Sequence, residues 1–236
     1  MNTSETTTAL LVHGAWHSPG CWSRVTPLLD AAGVSWTAVE LPSVHGGEAR
    51  GDMYDDAETI RQAIRAIDGP VTVVAHSYGG VPATEGAAGE ANVANILYVA
   101  SFVLGKGDSL LGSLGGKPAD WWVISEDGTT VTPATPTELF YADCPEDIAA
   151  KACADLTPQR RDAYSQPLRS TAWADVPTTY LVCDEDAVMP VFAQEAMATA
   201  AGARIRRIQS SHSPFLSRPE EFTGTLLDVM REGARG

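Results

Sequence analysis

The chain has 236 residues, 44% apolar and 19% charged, enough to bury one sizeable core, which excludes a disordered chain and a mini-protein. Thirty Asp and Glu stand against 16 Lys and Arg, giving a formal charge of −14 and a pI near 4.6. That balance repels phosphate backbones and anionic lipid, so neither a nucleic acid nor a membrane is an expected partner.

Short apolar runs at 9–12, 36–41, 71–75, 96–100, 179–183 and 205–208 read as strands, most of them continuous rather than alternating, as strands covered on both faces are. Helical stretches separate them. One spans 22–32 and is closed by Gly33; another spans 55–67, with Ile60, Ile64 and Ile67 on one face, and is closed by Gly69 and Pro70. A third runs from 191 to 201 and ends at Gly202. The last, 219–230, opens on Pro219 and two acids and carries Phe222, Leu226, Leu227 and Met230 on a stripe. Strand and helix alternating in this way predict an α/β fold, a mainly parallel sheet with helices on both faces. The rhythm breaks between 104 and 175, where a hairpin at 123–131 turns at Asp127 and Gly128 among Pro-punctuated helical pieces. We expect a small cap subdomain at 104–175, with 1–103 and 176–236 forming the core.

Cys21, Cys144, Cys153 and Cys183 form no C-x-x-C pair, which speaks against a disulfide framework or a Cys-based zinc site. The first eight residues are polar and carry no signal-peptide pattern, and no apolar run approaches a membrane span. A cytoplasmic protein is the expectation, either monomer or homodimer.

The segment from Val71 to Gly80 runs from an apolar strand into Ser77 and on into a helical stretch, 81–88. This is the setting of a nucleophile elbow, with Ala75 where the G-x-S-x-G pattern has its first glycine. The turn is tight enough that residues two before and two after the serine must be small, and Ala75 and Gly79 are. A serine hydroxyl needs a base, and in this arrangement the base comes last in the chain. That leaves His212, in the loop after the last strand. The third member is a carboxylate at the end of the preceding strand, where Asp184, Glu185 and Asp186 stand together; spacing does not choose among them, and Asp108 is a further candidate. The first strand ends in His13, Gly14, Ala15, Trp16 and His17, a turn that supplies a backbone donor for a developing oxyanion. The expected oxyanion hole is the N–H groups of Ala15 and Tyr78. His13 reads as a support for its loop, His17 as structural or substrate-touching, His76 as the variable residue of the elbow, and His45 as a loop residue.

With these residues in place, the sequence resembles the α/β-hydrolase superfamily, and within it the branch of plant methyl-ester esterases, S-selective hydroxynitrile lyases and their bacterial relatives. The resemblance runs through 11–15, Cys21 and Trp22, 75–80, Asp120 and Trp121, 180–186, 190–192 and 211–215. It implies a six-stranded α/β-hydrolase core with a small cap, and it selects Asp186 as the acid partner of Ser77 and His212. It also lends Trp121 a place in the pocket wall. Trp16, His17, Phe102, Trp122 and Phe215 complete the expected substrate-binding set. The S-selective lyases carry a threonine beside the first-strand histidine and a lysine after the catalytic one, where this chain has Gly14 and Ser213. The resemblance therefore favours a serine hydrolase of a small hydrophobic ester, lactone or thioester over a lyase, a cyclase or a non-hydrolytic binder. It implies a small-molecule substrate, no metal and no organic cofactor.

Overall fold

The computed structural model describes residues 7–47 and 50–233, the side chains of 45–47 excepted. Most of the polar leader, 1–6, and the His45 side chain thus lie outside the described residues. The strands are β1 (Thr8–Val12), β2 (Trp36–Val39), β3 (Val71–His76), β4 (Val93–Val99), β5 (Trp122–Ile124), β6 (Thr130–Pro133), β7 (Gln159–Arg160), β8 (Thr178–Cys183) and β9 (Arg204–Ile208). The helices are α1 (Thr26–Ala31), α2 (Met53–Arg65), α3 (Gly80–Gly86), α4 (Leu110–Ser113), α5 (Pro136–Phe140), α6 (Glu146–Ala154), α7 (Val191–Ala200), α8 (Pro214–Ser217) and α9 (Pro219–Gly233).

Six strands form one sheet in the order β2-β1-β3-β4-β8-β9, and every pair in it is parallel. Its centre is what the continuous apolar runs predict. Leu10, Leu11, Val73, Val74, Leu97 and Leu181 are fully buried, each contributing about 1.5–3 kcal/mol of hydrophobic stabilisation. The outer strands differ. On β9, Arg204 and Arg206 pair with Glu232, and Arg207 pairs with Asp184 and Glu195. A charged edge of this kind resists pairing with a further strand.

The helices follow the capping chemistry of their ends. Asp52 caps α2, accepting from the N–H groups of Tyr54 and Asp55 at 2.8 and 3.1 Å, while Asp55 accepts the Asp52 N–H at 2.9 Å. The helix expected over 22–32 is interrupted: a 3-10 turn covers Pro19–Trp22 and α1 begins only at Thr26. Pro27 explains the break, because a proline has no N–H to give and is tolerated in a first turn but not in a helix interior.

Between β4 and β8, the inserted segment carries a three-stranded antiparallel sheet in the order β5-β6-β7. Its hairpin turns at Gly128, whose φ of +73° suits a residue without a Cβ. The four cysteines are free thiols. Among the described residues, no helix is long and apolar enough to cross a membrane.

Candidate active site

The parallel sheet brings the C-terminal ends of its strands to one rim, level in register: Val12 stands beside Ala75, and Cys183 beside Ile208. The chain reverses direction across the sheet at β1 and β3, the kind of switch point where open parallel sheets form their clefts. The loops after β1, β3, β8 and β9 meet there.

Ser77 follows β3 directly, with φ at +52°, a left-handed conformation in which a side chain is strained. Its carbonyl is held by the Ser101 hydroxyl at 2.8 Å and the Phe102 N–H at 3.1 Å. Neighbouring glycines make the turn possible. A Cβ on Gly79 would lie 2.3 Å from the His13 carbonyl oxygen, and one on Gly80 would lie 2.1 Å from the Ser101 hydroxyl. Gly79 is thus required by the backbone of the first-strand loop, and Gly80 by the Ser101 side chain and the Phe102 carbonyl of the loop after β4.

His212 reaches this turn from the loop after β9, and its Nε2 lies 2.9 Å from the Ser77 hydroxyl oxygen. Its Nδ1 lies 2.7 Å from Asp186 Oδ2, and both side chains are buried. The other carboxylate oxygen of Asp186 accepts from the N–H groups of Val188 and Met189 at 2.7 and 2.9 Å. With the carboxylate as acceptor, the ring proton sits on Nδ1, and the Nε2 lone pair faces the serine. Asp184 points elsewhere, to Arg207 and Gln209. Glu185 is exposed. The His76 ring donates from Nε2 to the His212 carbonyl at 2.9 Å, and Ser211 donates to Asp143 of the inserted segment.

Four histidines crowd this rim, and three are held uncharged. Burial lowers His13 to about 4 and His17 to about 3, and it pushes His76 well below the ordinary imidazole range. His13 accepts the Leu41 N–H on Nε2 and gives its Nδ1 proton to the Gly14 carbonyl.

Ser77 opens into a cavity of about 70 Å³. Ala15, Trp16, Tyr78, Phe102, Trp121 and Trp122 line it, as expected from the sequence. Leu110, Leu114, Phe140 and Tyr164 of the insertion and Val188 of the loop after β8 line it too and went unread, since the only signal they carry is an apolar or aromatic side chain. Two expected members are elsewhere. Phe215 is fully buried, 4.5 Å from Trp22, 4.8 Å from His76 and 6.2 Å from Phe222 between ring centroids. The hydrophobic core claims it because α8 turns its side chain inward behind His212. His17 gives Nδ1–H to the Ala15 carbonyl and accepts from the Tyr141 hydroxyl at 2.8 Å, and it borders a separate cavity of about 60 Å³ beside Cys21 and Arg24.

Comparison with known proteins identifies the family. Residues 9–225 match the model of the alpha/beta hydrolase family. The chain is 28% identical to the alpha/beta hydrolase nvfD of Aspergillus novofumigatus over 89% of this chain and 91% of that protein. It is 26% identical to Methylesterase 7 of Arabidopsis thaliana over 93% of this chain and 95% of that one. A pyrethroid hydrolase from Sphingobium faniae JZ-2, 20% identical, superposes with a TM-score of 0.82 over 98% of this chain and 99% of its own, a likeness of fold. A family match over nearly the whole length, on a six-stranded parallel sheet, makes this chain a member of the alpha/beta hydrolase family.

Proposed function

We propose that the protein is a serine hydrolase that cleaves a small, neutral, hydrophobic carboxylic ester through an acyl-enzyme. In this reading Ser77 attacks the ester carbonyl while His212 Nε2 takes the hydroxyl proton, and Asp186 keeps the imidazole in the tautomer that can receive it. The N–H groups of Ala15 and Tyr78 stabilise the oxyanion, each such donor contributing about 2.7–4 kcal/mol in comparable sites. Collapse of the tetrahedral intermediate expels the alcohol with the proton held by His212. Water then attacks the acyl group, gives its proton to His212, and releases the acid and the free serine.

The observation that carries the reading is the 2.9 Å contact between His212 Nε2 and the Ser77 hydroxyl beside an apolar cavity. Among the described residues no Lys, Arg, Asp or Glu lines that cavity, which favours an uncharged substrate. Family membership and a relative named as a methylesterase support ester hydrolysis. The segment 104–175 acts as a cap here, since Leu110, Trp121, Phe140 and Tyr164 all belong to it. Hydrolysis of p-nitrophenyl butyrate by the wild type and by Ser77→Ala tests the reading. The variant should lose roughly 10³-fold or more in kcat/KM, and an equally active variant would sink the proposal.

A further inference from the structure

A chain of buried polar groups runs from beneath the elbow to the cavity wall, outside the Ser77–His212–Asp186 cluster. The Tyr78 side chain, 1% exposed, donates its hydroxyl to Asp56 Oδ2 at 2.6 Å. The same oxygen accepts the Ser43 hydroxyl at 2.6 Å, and Asp56 Oδ1 accepts the Ser43 N–H at 2.8 Å. Gln159 of the insertion donates to the Ser43 oxygen at 3.0 Å, and Tyr164, which lines the cavity, donates to Gln159 at 2.7 Å. Every donor in this chain points toward Asp56. Successive bonds oriented one way polarise one another, and a carboxylate is the acceptor on which they can end.

Asp56 is fully buried, and none of these partners carries a positive charge. Burial pushes its carboxyl up to about 6. Such a group is a costly way to fill space, since a neutral side chain of like size would avoid the desolvation. What only a carboxylate does here is accept from Ser43 N–H, Ser43 O–H and Tyr78 O–H together. An amide would turn an N–H toward at least one of those donors.

We propose that Asp56 is a positioning residue for the oxyanion hole: it anchors the Tyr78 side chain, and so fixes the backbone N–H of Tyr78 beside Ser77, and it joins that anchor through Ser43 and Gln159 to Tyr164 in the substrate cavity. The inference rests on the serine-hydrolase reading above, in which that N–H faces the developing oxyanion. A donor displaced by tenths of an ångström stabilises the transition state less while leaving ground-state binding nearly untouched.

Tyr78→Phe removes one hydroxyl and keeps the ring, and Asp56→Asn keeps the shape but replaces one of the two acceptor oxygens with a donor. Both are measured in the full chain with p-nitrophenyl butyrate, alongside wild type, with circular dichroism to establish folding. Both variants should lose about tenfold in kcat with KM within twofold, and their double variant should be no slower than the worse single one. A trifluoromethyl ketone, which forms an oxyanion on the serine, should bind each variant more weakly in proportion to its loss of kcat/KM. Should Asp56→Asn fail to fold, Tyr78→Phe decides alone by the same criteria. An active wild type with a folded Tyr78→Phe of unchanged kcat overturns this inference and leaves the hydrolase reading intact. A wild type with no esterase activity overturns both.

Discussion

Acid should begin to destabilise this protein well above the pH at which its surface carboxylates titrate, because the site is built on imidazoles that the fold keeps neutral. His13 is held down to about 4 and His17 to about 3, in each case chiefly by burial. In the unfolded chain both titrate near 6.5, so below that pH the unfolded state binds protons that the folded state refuses. Their contribution is fully present above pH 6.5 and is lost as pH falls toward 4. At pH 4, keeping each imidazole uncharged costs about 3 kcal/mol, or about 6 kcal/mol for the pair. His76, lowered by burial and by the neighbouring His212, acts in the same direction. Asp56 opposes them: its carboxyl is raised from 3.8 to about 6, chiefly by burial, so it adds stability as pH falls through 6, about 2 kcal/mol by pH 4. The net loss is about 4 kcal/mol or more, a large share of the ~5–15 kcal/mol that holds a typical domain together. Tryptophan fluorescence against urea, at pH 7.5 and at pH 4, measures it through the six tryptophans. With a slope near ~2 kcal/mol/M the midpoint should fall by about 2 M, or the protein should already be unfolded at pH 4 without urea. Midpoints within about 0.5 M of each other would refute the idea that the rim histidines are buried as neutral groups.

Three further outcomes follow from particular contacts. Gly79→Ala sets a Cβ 2.3 Å from the His13 carbonyl oxygen; it should displace the first-strand loop and lower kcat/KM for p-nitrophenyl butyrate by more than about tenfold even where the protein still folds. Asp186→Asn should reduce kcat by about 10⁴ through the wrong imidazole tautomer, whereas Asp184→Asn, which breaks contacts with Arg207 and Gln209 on the surface, should leave the rate within about threefold; the reverse ranking would reassign the acid. Phe215→Ala empties a fully buried site between Trp22, His76 and Phe222 and should cost about 3–5 kcal/mol in urea unfolding, with KM changed by less than about twofold. A raised KM at unchanged stability would restore Phe215 to the substrate pocket.

What the sequence made legible follows from how local each cause is. The central strands could be read because both faces of the sheet are covered, so their apolar residues run on without alternation. Ser77 could be read because the turn's demand for small neighbours lies within four residues. The choice among Asp184, Glu185 and Asp186 is not local: it depends on which way a turn after β8 faces relative to a loop after β9, and only the resemblance pointed to Asp186. Phe215 and His17 were misplaced for a related reason. An aromatic or a histidine beside a reactive residue in sequence can face the cavity or the core with equal ease, and here Trp22 and Tyr141 draw the two side chains away from the cavity. Asp56 carried no sequence signal at all, since the donors to its carboxylate come from the elbow after β3 and the loop after β2, and two acids at a helix start are ordinary. The early part of the 22–32 helix was lost to a single local cause that was readable, Pro27.

The central claim is that Ser77 forms an acyl-enzyme, and intact-protein mass spectrometry on samples acid-quenched within milliseconds of mixing with p-nitrophenyl butyrate tests it most directly. The account predicts one added butyryl group per chain, mapped by proteolysis to the peptide containing Ser77, together with a burst of p-nitrophenol, and neither in Ser77→Ala. Steady ester turnover by Ser77→Ala at the wild-type rate, or an adduct on any other residue, would contradict it.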